Sequence, residues 1–413
     1  MKLFGKMILT FIAVTSVSTV MAQPAIKYGK KNVFVTVTNL SDRMKVDAPV
    51  VITLEDRIME SATVWDNKTE IPCQLDDMDA DGTKDELAFV ITLKPGEKKK
   101  LKVELSIDSV PADRYPTRVH AQMFERKPDK TLEPVTVFVS ETDDKYDTLY
   151  HHGPAFESDL MAYRIYFDKK QTVDVYGKKQ KRLELAETKW YPTDEQLAEN
   201  YGDDVLRVGE SVGVGTLRGW DGKEAVYITP VDKREARVLV NGPVRTIVDM
   251  TSFGWEYSGQ KIIMVNRYTM YAGHRDVEVS NIMFDKEMKT IPDDVIFCTG
   301  VQKMPDSETF SDDKTFLGIW GTDYPVNDTI KYGKQTVGLG VCVPQEYILR
   351  KTEDQLNYLF LLHDNNDYQI KYYLVAAAEK EEFGFKNAQE FFQYLTQWKN
   401  DLLQPVLVEL SYP

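Results

Sequence analysis

The sequence predicts a mainly β protein with two antiparallel parts and one C-terminal helix. Three observations carry that reading. Short segments rich in Val, Ile, Thr and Phe recur along the chain, closed by turn residues such as Lys94-Pro95-Gly96. No regular alternation with helix-length apolar runs separates them, which argues against βαβ units. A chain of 413 residues also exceeds one ordinary core, since cores stop growing at roughly 250–300 residues.

At the N-terminus, Lys2 and Lys6 precede the apolar run Met7 to Val14, and small residues lead to Val20-Met21-Ala22. This is the pattern of a secretory signal peptide over residues 1–22, cleaved after Ala22 and too short for a membrane anchor. A soluble periplasmic or secreted product is expected, without a lipid anchor because no Cys lies near the cleavage site. Strands then follow over Val33–Leu40, Val50–Leu54, Leu87–Leu93, Leu101–Leu105 and Val135–Ser140. Pro and charge interrupt the pattern at Val110-Pro111-Ala112-Asp113-Arg114-Tyr115-Pro116. That places a small β-sandwich domain over 23–116 and a larger β domain over 117–413. In the larger part the strand pattern includes Met161–Phe167, Thr172–Tyr176, Thr246–Thr251, Lys261–Tyr271, Val277–Phe284, Val337–Val343 and Ile370–Ala376. The helix begins at Asn387, with Glu390 completing a capping box, and sets Phe391, Leu395, Trp398 and Leu402 on one face before Pro405.

Charge narrows the function. Lys+Arg 51 against Asp+Glu 65 gives a net −14, and so acidic a balance argues against a nucleic-acid partner. Three cysteines, Cys73, Cys298 and Cys342, build no disulfide framework, and the last two sit in apolar strand-like runs that read as buried thiols. In Asp77-Met78-Asp79-Ala80-Asp81-Gly82-Thr83-Lys84-Asp85 the carboxylates of Asp77, Asp79, Asp81 and Asp85 fall at loop positions 1, 3, 5 and 9, with Gly at position 6 for the sharp turn. That spacing suits calcium, held as a structural staple, although the position-12 Glu and flanking helices of an EF-hand are missing. A solvated Asp-Gly hairpin tip is the plain alternative.

The densest polar and aromatic run is Tyr150-His151-His152-Gly153-Pro154-Ala155-Phe156-Glu157, followed by Tyr163-Arg164-Ile165-Tyr166-Phe167-Asp168. On a strand, Arg164, Tyr166 and Asp168 share one face, a platform for a sugar or a carboxylate; a solvated cross-strand ion pair is the ordinary alternative. His151 and His152 point to opposite faces if extended, so one of them at most is catalytic. Further aromatic or charged groups sit on turns at Trp190, Tyr191, Tyr201, Asp203, Asp204, Trp220, Arg245, His274 and Arg275, where stacking and hydroxyl bonding suit carbohydrate. Ser211 lies in a G-x-S-x-G frame without the strand, elbow and helix of a hydrolase nucleophile.

Gly153-Pro154 with Glu157, Tyr163 to Tyr166, Asp174-Val175-Tyr176-Gly177-Lys178, Val208 to Gly213 and Gly242-Pro243-Val244-Arg245, with the acidic segment Asp79 to Leu87, resemble the exported family called domain of unknown function 4861. The resemblance implies a carbohydrate context, because members are often encoded among polysaccharide-utilisation genes. It also implies a galactose-mutarotase-like supersandwich in the larger part, a fold that hosts several chemistries.

Three functions fit these residues. A lyase acting on uronate-containing glycans needs a cation on the carboxylate, a base at C5 and an acid at the leaving oxygen. Arg164, Arg245 or Lys178 can neutralise, His151, His152 or His274 can be the base, and Tyr166 the acid. A mutarotase or epimerase would use Glu157 and a His. A glycan-binding protein would need only aromatics and hydrogen-bonding groups, with Asp168, Lys178, Tyr201, Trp220, Arg245 and Arg275 as contacts. The expected partner is an acidic glycan fragment.

Overall fold

Antiparallel pairing accounts for every named strand ladder among the described residues of this computed structural model, which are 29–54, 58–111, 113–142, 145–330, 332–365 and 368–412. The signal-peptide expectation for residues 1–22 lies outside them. The chain divides into two compact units, one of residues up to Arg118 with Gly242–Arg245 and Asp401–Pro413, the other of Val119–Asn241 with Thr246–Asn400.

The first unit is a sandwich. Its five-stranded sheet runs in the order Leu407–Ser411, Lys30–Thr38, Lys98–Ser106, Ser61–Asp66, Thr69–Ile71, and its three-stranded sheet in the order Lys45–Thr53, Glu86–Leu93, Cys73–Asp76. Strict alternation in Lys30–Thr38 buries Val33, Val35 and Val37. Together with Val64, Phe89, Leu93 and Leu101 they form one apolar core. Each such side chain withdrawn from water contributes about 1.5–3 kcal/mol. The last strand, Leu407–Ser411, lies at the edge of this sheet, paired with Lys30–Thr38.

The second unit is built on a nine-stranded sheet running from Val137–Ser140 through Gln260–Tyr271 and Gln369–Ala378 to Ser307–Ser311, with two five-stranded sheets beside it. The helix Ala388–Leu403 buries Ala388, Phe391, Leu395 and Trp398. Asn387 accepts from the Glu390 amide at 3.0 Å and its own amide group donates back to the Glu390 carboxylate at 2.9 Å, which fixes the first turn. Gly318, Gly338 and Gly340 let the helix lie close to the sheet, because a Cβ at any of them would meet Phe391 or Leu395 at under 3.0 Å. The three cysteines are buried and unpaired. No helix among the described residues is long and apolar enough to cross a membrane.

Candidate functional site

One short sheet concentrates the buried charge of the second unit. Its strands are Val119–Gln122, Ala155–Ser158, Ala162–Ile165, Val173–Gly177 and Asp203–Asp204. Residues directly opposite in a ladder share a face. Register therefore sets Gln122, Ala155, Arg164 and Asp174 in one row, and His120, Glu157, Ala162, Tyr176 and Asp204 in the next. The reverse face carries Ala121, Phe156, Tyr163, Ile165, Val173 and Val175 into the main core. Two charged clusters stand side by side on the polar face.

The first cluster is closed. Lys178 and Glu157 are both 0% exposed and 2.5 Å apart. The Lys178 ammonium also donates to the carbonyls of Ser158 and Arg182, each at 2.6 Å. Glu157 accepts from the amides of Glu184 and Leu185 at 2.8–2.9 Å, at the start of the helix Leu185–Thr188. The lysine's three donors are spent. Both residues are sealed from solvent, so the roles expected of Glu157 as a base and of Lys178 as a neutralising cation or sugar contact give way to a structural pair.

The second cluster has an open edge. Arg164 is 3% exposed. Its Nε and Nη2 donate to Asp174 at 2.9 and 2.7 Å, Nη2 also to Asp204 at 2.9 Å and to the Tyr166 hydroxyl at 2.6 Å, and Nη1 to the Tyr191 hydroxyl at 2.9 Å. The guanidinium lies 4.5 Å from the Trp190 ring centroid and 4.7 Å from that of Tyr166, a stacking that Arg favours. Arg164 is therefore a buried hub and not an exposed platform. The opening is lined by Tyr166, stacked at 6.0 Å on His152, by Tyr150 packed edge-on against Tyr191 at 5.8 Å, and by Tyr191 itself, 43% exposed.

Backbone conformation explains the two histidines. His151 and His152 both adopt the left-handed region, at φ 48° and 68°, so they do not alternate as a strand would. His151 is buried, its carbonyl accepting from Arg164 at 3.5 Å. Burial, aided by the Arg164 charge, pushes its imidazole down to about 3, so it is neutral. His152 stays accessible, with Nδ1 3.5 Å from the Asp147 carboxylate. Gly153 is required at the next position, because a Cβ there would collide with the Ile165 carbonyl.

The carboxylates of the hub differ in the same way. Asp174 is closed off: Oδ2 accepts from Arg164 twice and from Tyr166 at 3.2 Å, and Oδ1 from the Val175 amide at 2.8 Å. Asp204 keeps 14% of its side chain exposed. Its Oδ2 accepts from Arg164 and from the Trp190 indole at 3.1 Å, while Oδ1 meets only a long 3.3 Å bond from the Leu206 amide. Burial, and then the charge of Asp174, push the Asp204 carboxyl up to about 7. Burial also raises the Tyr166 phenol strongly, with Asp174 adding to it, so it is a proton donor.

Other expected residues lie elsewhere. Tyr163, on the face opposite Arg164, donates to the Arg275 carbonyl at 2.6 Å, so the His274 loop is reached from behind the sheet. His274 pairs with Asp276 at 3.0 Å, and Arg275 with Glu381 at 2.9 Å, both members buried. Asp168 accepts from the Lys170 and Gln171 amides in a turn. Tyr201 donates to Glu187 and lies under the Arg182 guanidinium at 3.8 Å. Trp220 is half-buried against Cys298 and Leu361. In the first unit Arg245 donates to Asp76 and Glu86 at 2.9 Å. Of the expected site residues, His151, His152, Arg164 and Tyr166 come together. Trp190, Tyr191 and Asp204, from turn segments that suit carbohydrate by sequence, join them, and so does Asp174, which has no role assigned from sequence.

Two cavities of the second unit share none of these residues. One of about 590 Å³ is lined by Phe310, Lys351, Glu353 and Tyr358. Another of about 620 Å³ follows the Glu256–Lys261 hairpin tip. Neither gathers buried ionisable groups.

The acidic loop of the first unit brings one oxygen each from Asp77, Asp79 and Asp85 within 4.8 Å of one another. Gly82, at φ 93°, makes the turn. Asp81 turns away to accept from the Thr83 amide and hydroxyl at 2.9 and 2.5 Å. A hard, oxygen-seeking cation fits three of the four expected ligands.

The chain belongs to the family described as domain of unknown function (DUF4861), whose model matches residues 37–408. No curated protein matches it. Among solved structures it is similar to a protein in glycosyl hydrolase family 38 from Enterococcus faecalis, at 9% identity and TM-score 0.44, covering 92% of this chain and 47% of that one. It is also similar to an α-mannosidase from Enterococcus faecalis V583, at 9% identity and TM-score 0.43, covering 94% of this chain and 46% of that one. The chain spans about half the length of these structures.

Proposed function

We propose that this member of the family is an exported carbohydrate-active protein that eliminates across a uronate residue of glycan fragments, at the open edge of the Arg164 cluster. The observation that carries the reading is the meeting of an accessible imidazole, a phenol and three exposed or half-exposed aromatic rings around one opening, beside two carboxylates that share one arginine. In the reaction His152 takes the C5 proton, the electron pair forms the C4–C5 double bond, and the departing C4 oxygen receives the Tyr166 proton. Arg164 holds the Tyr166 oxygen throughout, which stabilises charge developing there. The exposed Arg126, 5.5 Å from the Tyr150 ring, is a cation available to a substrate carboxylate, whereas Lys170, 5.6 Å from the Tyr166 ring, already donates to the Gly209 carbonyl and lies 3.8 Å from Asp168 and Glu210. Tyr150 and Tyr191 offer ring faces to the sugar.

Incubation with pectic and glycosaminoglycan fragments, followed at the absorbance of unsaturated uronates, tests this reading. Product from the wild type and none from His152→Gln or Tyr166→Phe is the expected result. Mutarotation of neutral aldoses without any unsaturated product would replace it with the epimerase reading, in which Asp204 supplies the carboxylate. Export rests on Lys2, Lys6 and the Met7–Val14 run, and N-terminal sequencing of the mature protein checks it at Gln23. Calcium in the Asp77–Asp85 loop is proposed as a staple of the first unit, not as a reactant.

A further inference from the structure

Arg164 carries one positive charge and holds two carboxylates, so the hub with both ionised is net negative. An anionic sugar entering such an opening meets repulsion inside a low-dielectric wall, where charges are felt most strongly. Asp174 cannot relieve this, because both its oxygens are occupied by donors and its side chain is 1% exposed. Asp204 can. It lies on the two-residue edge strand, keeps an outward path to solvent, and its Oδ1 has only the 3.3 Å Leu206 contact. The ionisable or charged groups facing it are Arg164 and Tyr166 from one strand and its extension, Asp174 and the directly opposed Tyr176 from the next, and Tyr191 from the preceding loop, beside the indole of Trp190. Its neighbour Asp203 projects to the other side and pairs with Lys380.

We propose that Asp204 sets the charge of this opening: an acidic sugar binds with Asp204 in its carboxylic acid form, so that Oδ1 donates to the ligand's anionic group where a carboxylate would repel it. The inference rests on the uronate reading above and deepens it. Where Asp204 is ionised in the free protein, at alkaline pH, close to one proton is taken up from solvent for each ligand bound; where it is already protonated, at acidic pH, almost none is, and none is transferred to carbon at any pH. The raised position of the Asp204 titration supports the same assignment. Specificity for acidic glycans then resides in an Asp and not in Arg164.

Titration calorimetry of the full chain with trigalacturonate, at about pH 5.5 and about pH 8.5, tests it, with maltotriose as the neutral control. Wild-type affinity is expected to fall at least tenfold over that range, with proton uptake seen as a dependence of heat on buffer ionisation. Asp204→Asn keeps the acceptor to Arg164 and mimics the protonated acid, so its affinity should change less than about threefold. His152→Gln, which removes the other group of the opening that ordinarily titrates near neutrality, should keep the wild-type fall. A pH-independent wild type, a fall retained in Asp204→Asn, or no binding of trigalacturonate at either pH overturns the proposal. Binding with the expected pH dependence but no unsaturated product contradicts the elimination reading alone.

Discussion

Two ion clusters sit on one face of one five-stranded sheet, and they differ in a single respect. Around Glu157 and Lys178 every charged atom has a protein partner and no side-chain surface reaches solvent. Around Arg164 the centre is as deeply buried, yet Asp204, Tyr166, His152 and Tyr191 keep an edge open. The difference teaches that buried charge alone does not mark a working site. What matters is whether an ionisable group retains both an incomplete hydrogen-bond set and a path outward.

The largest expected effect treats the clusters alike. Lys178→Ala strands Glu157, and Arg164→Ala strands Asp174 and Asp204, so each should cost about 3–5 kcal/mol in denaturant unfolding. A loss below about 1 kcal/mol in either would break the claim that both centres are sealed from water.

Acidity acts on the Arg164 cluster in two directions. The His151 pKa is depressed to about 3 from the ordinary 6.5, so its contribution is full above pH 6.5 and is lost as pH falls toward 3. The Asp204 pKa is raised to about 7 from 3.8, so its contribution is full below pH 3.8 and is lost as pH rises through 7. Each contributes a slope of up to about 1.4 kcal/mol per pH unit, and between roughly pH 4 and 6.5 the two oppose each other. Asp204→Asn should therefore make stability fall more steeply on acidification than in the wild type, and His151→Gln should make it fall less. Identical pH profiles in all three proteins, measured by urea unfolding, would contradict the burial assigned to these groups.

A third charged cluster sharpens the contrast from the other unit. The Asp77, Asp79 and Asp85 carboxylates converge on a point that a cation fits, and a ligand at one hundred times its Kd stabilises by about 2.7 kcal/mol. Calcium should raise the melting temperature and chelator should reverse it; an unchanged melting temperature at millimolar calcium leaves a plain acidic turn. The smallest effect concerns Tyr191. Tyr191→Phe removes one bond to Arg164, about 0.5–1.5 kcal/mol of stability, while leaving the ring. Ligand affinity should survive that change and drop in Tyr191→Ala.

Much of this was legible in the sequence. Alternation placed Arg164 and Tyr166 on one face, and the Asn387 to Leu402 pattern fixed the helix, because both are local regularities. The partners of Arg164 were not legible. Asp174 and Asp204 meet it only through the registers joining Ala162–Ile165, Val173–Gly177 and Asp203–Asp204, and the last strand is two residues long, too short to show a period. Cross-strand opposition of Arg164 and Asp174 within one hairpin was the one available signal. The extended reading of His151 and His152 failed because non-glycine residues at positive φ carry little sequence signature. Glu157 and Lys178 look like site residues in sequence because a buried pair and a catalytic pair use the same side chains; only closure by the Glu184 and Leu185 amides tells them apart.

The most direct test of the central claim is a crystal structure of the full chain soaked with trigalacturonate. The sugar is expected against the Tyr166, His152 and Tyr191 rings, with a carboxylate within hydrogen-bond reach of Asp204, and unchanged geometry at Glu157 and Lys178. Sugar bound instead in the cavity beside Phe310 and Tyr358, with the Arg164 opening unaltered, would contradict it.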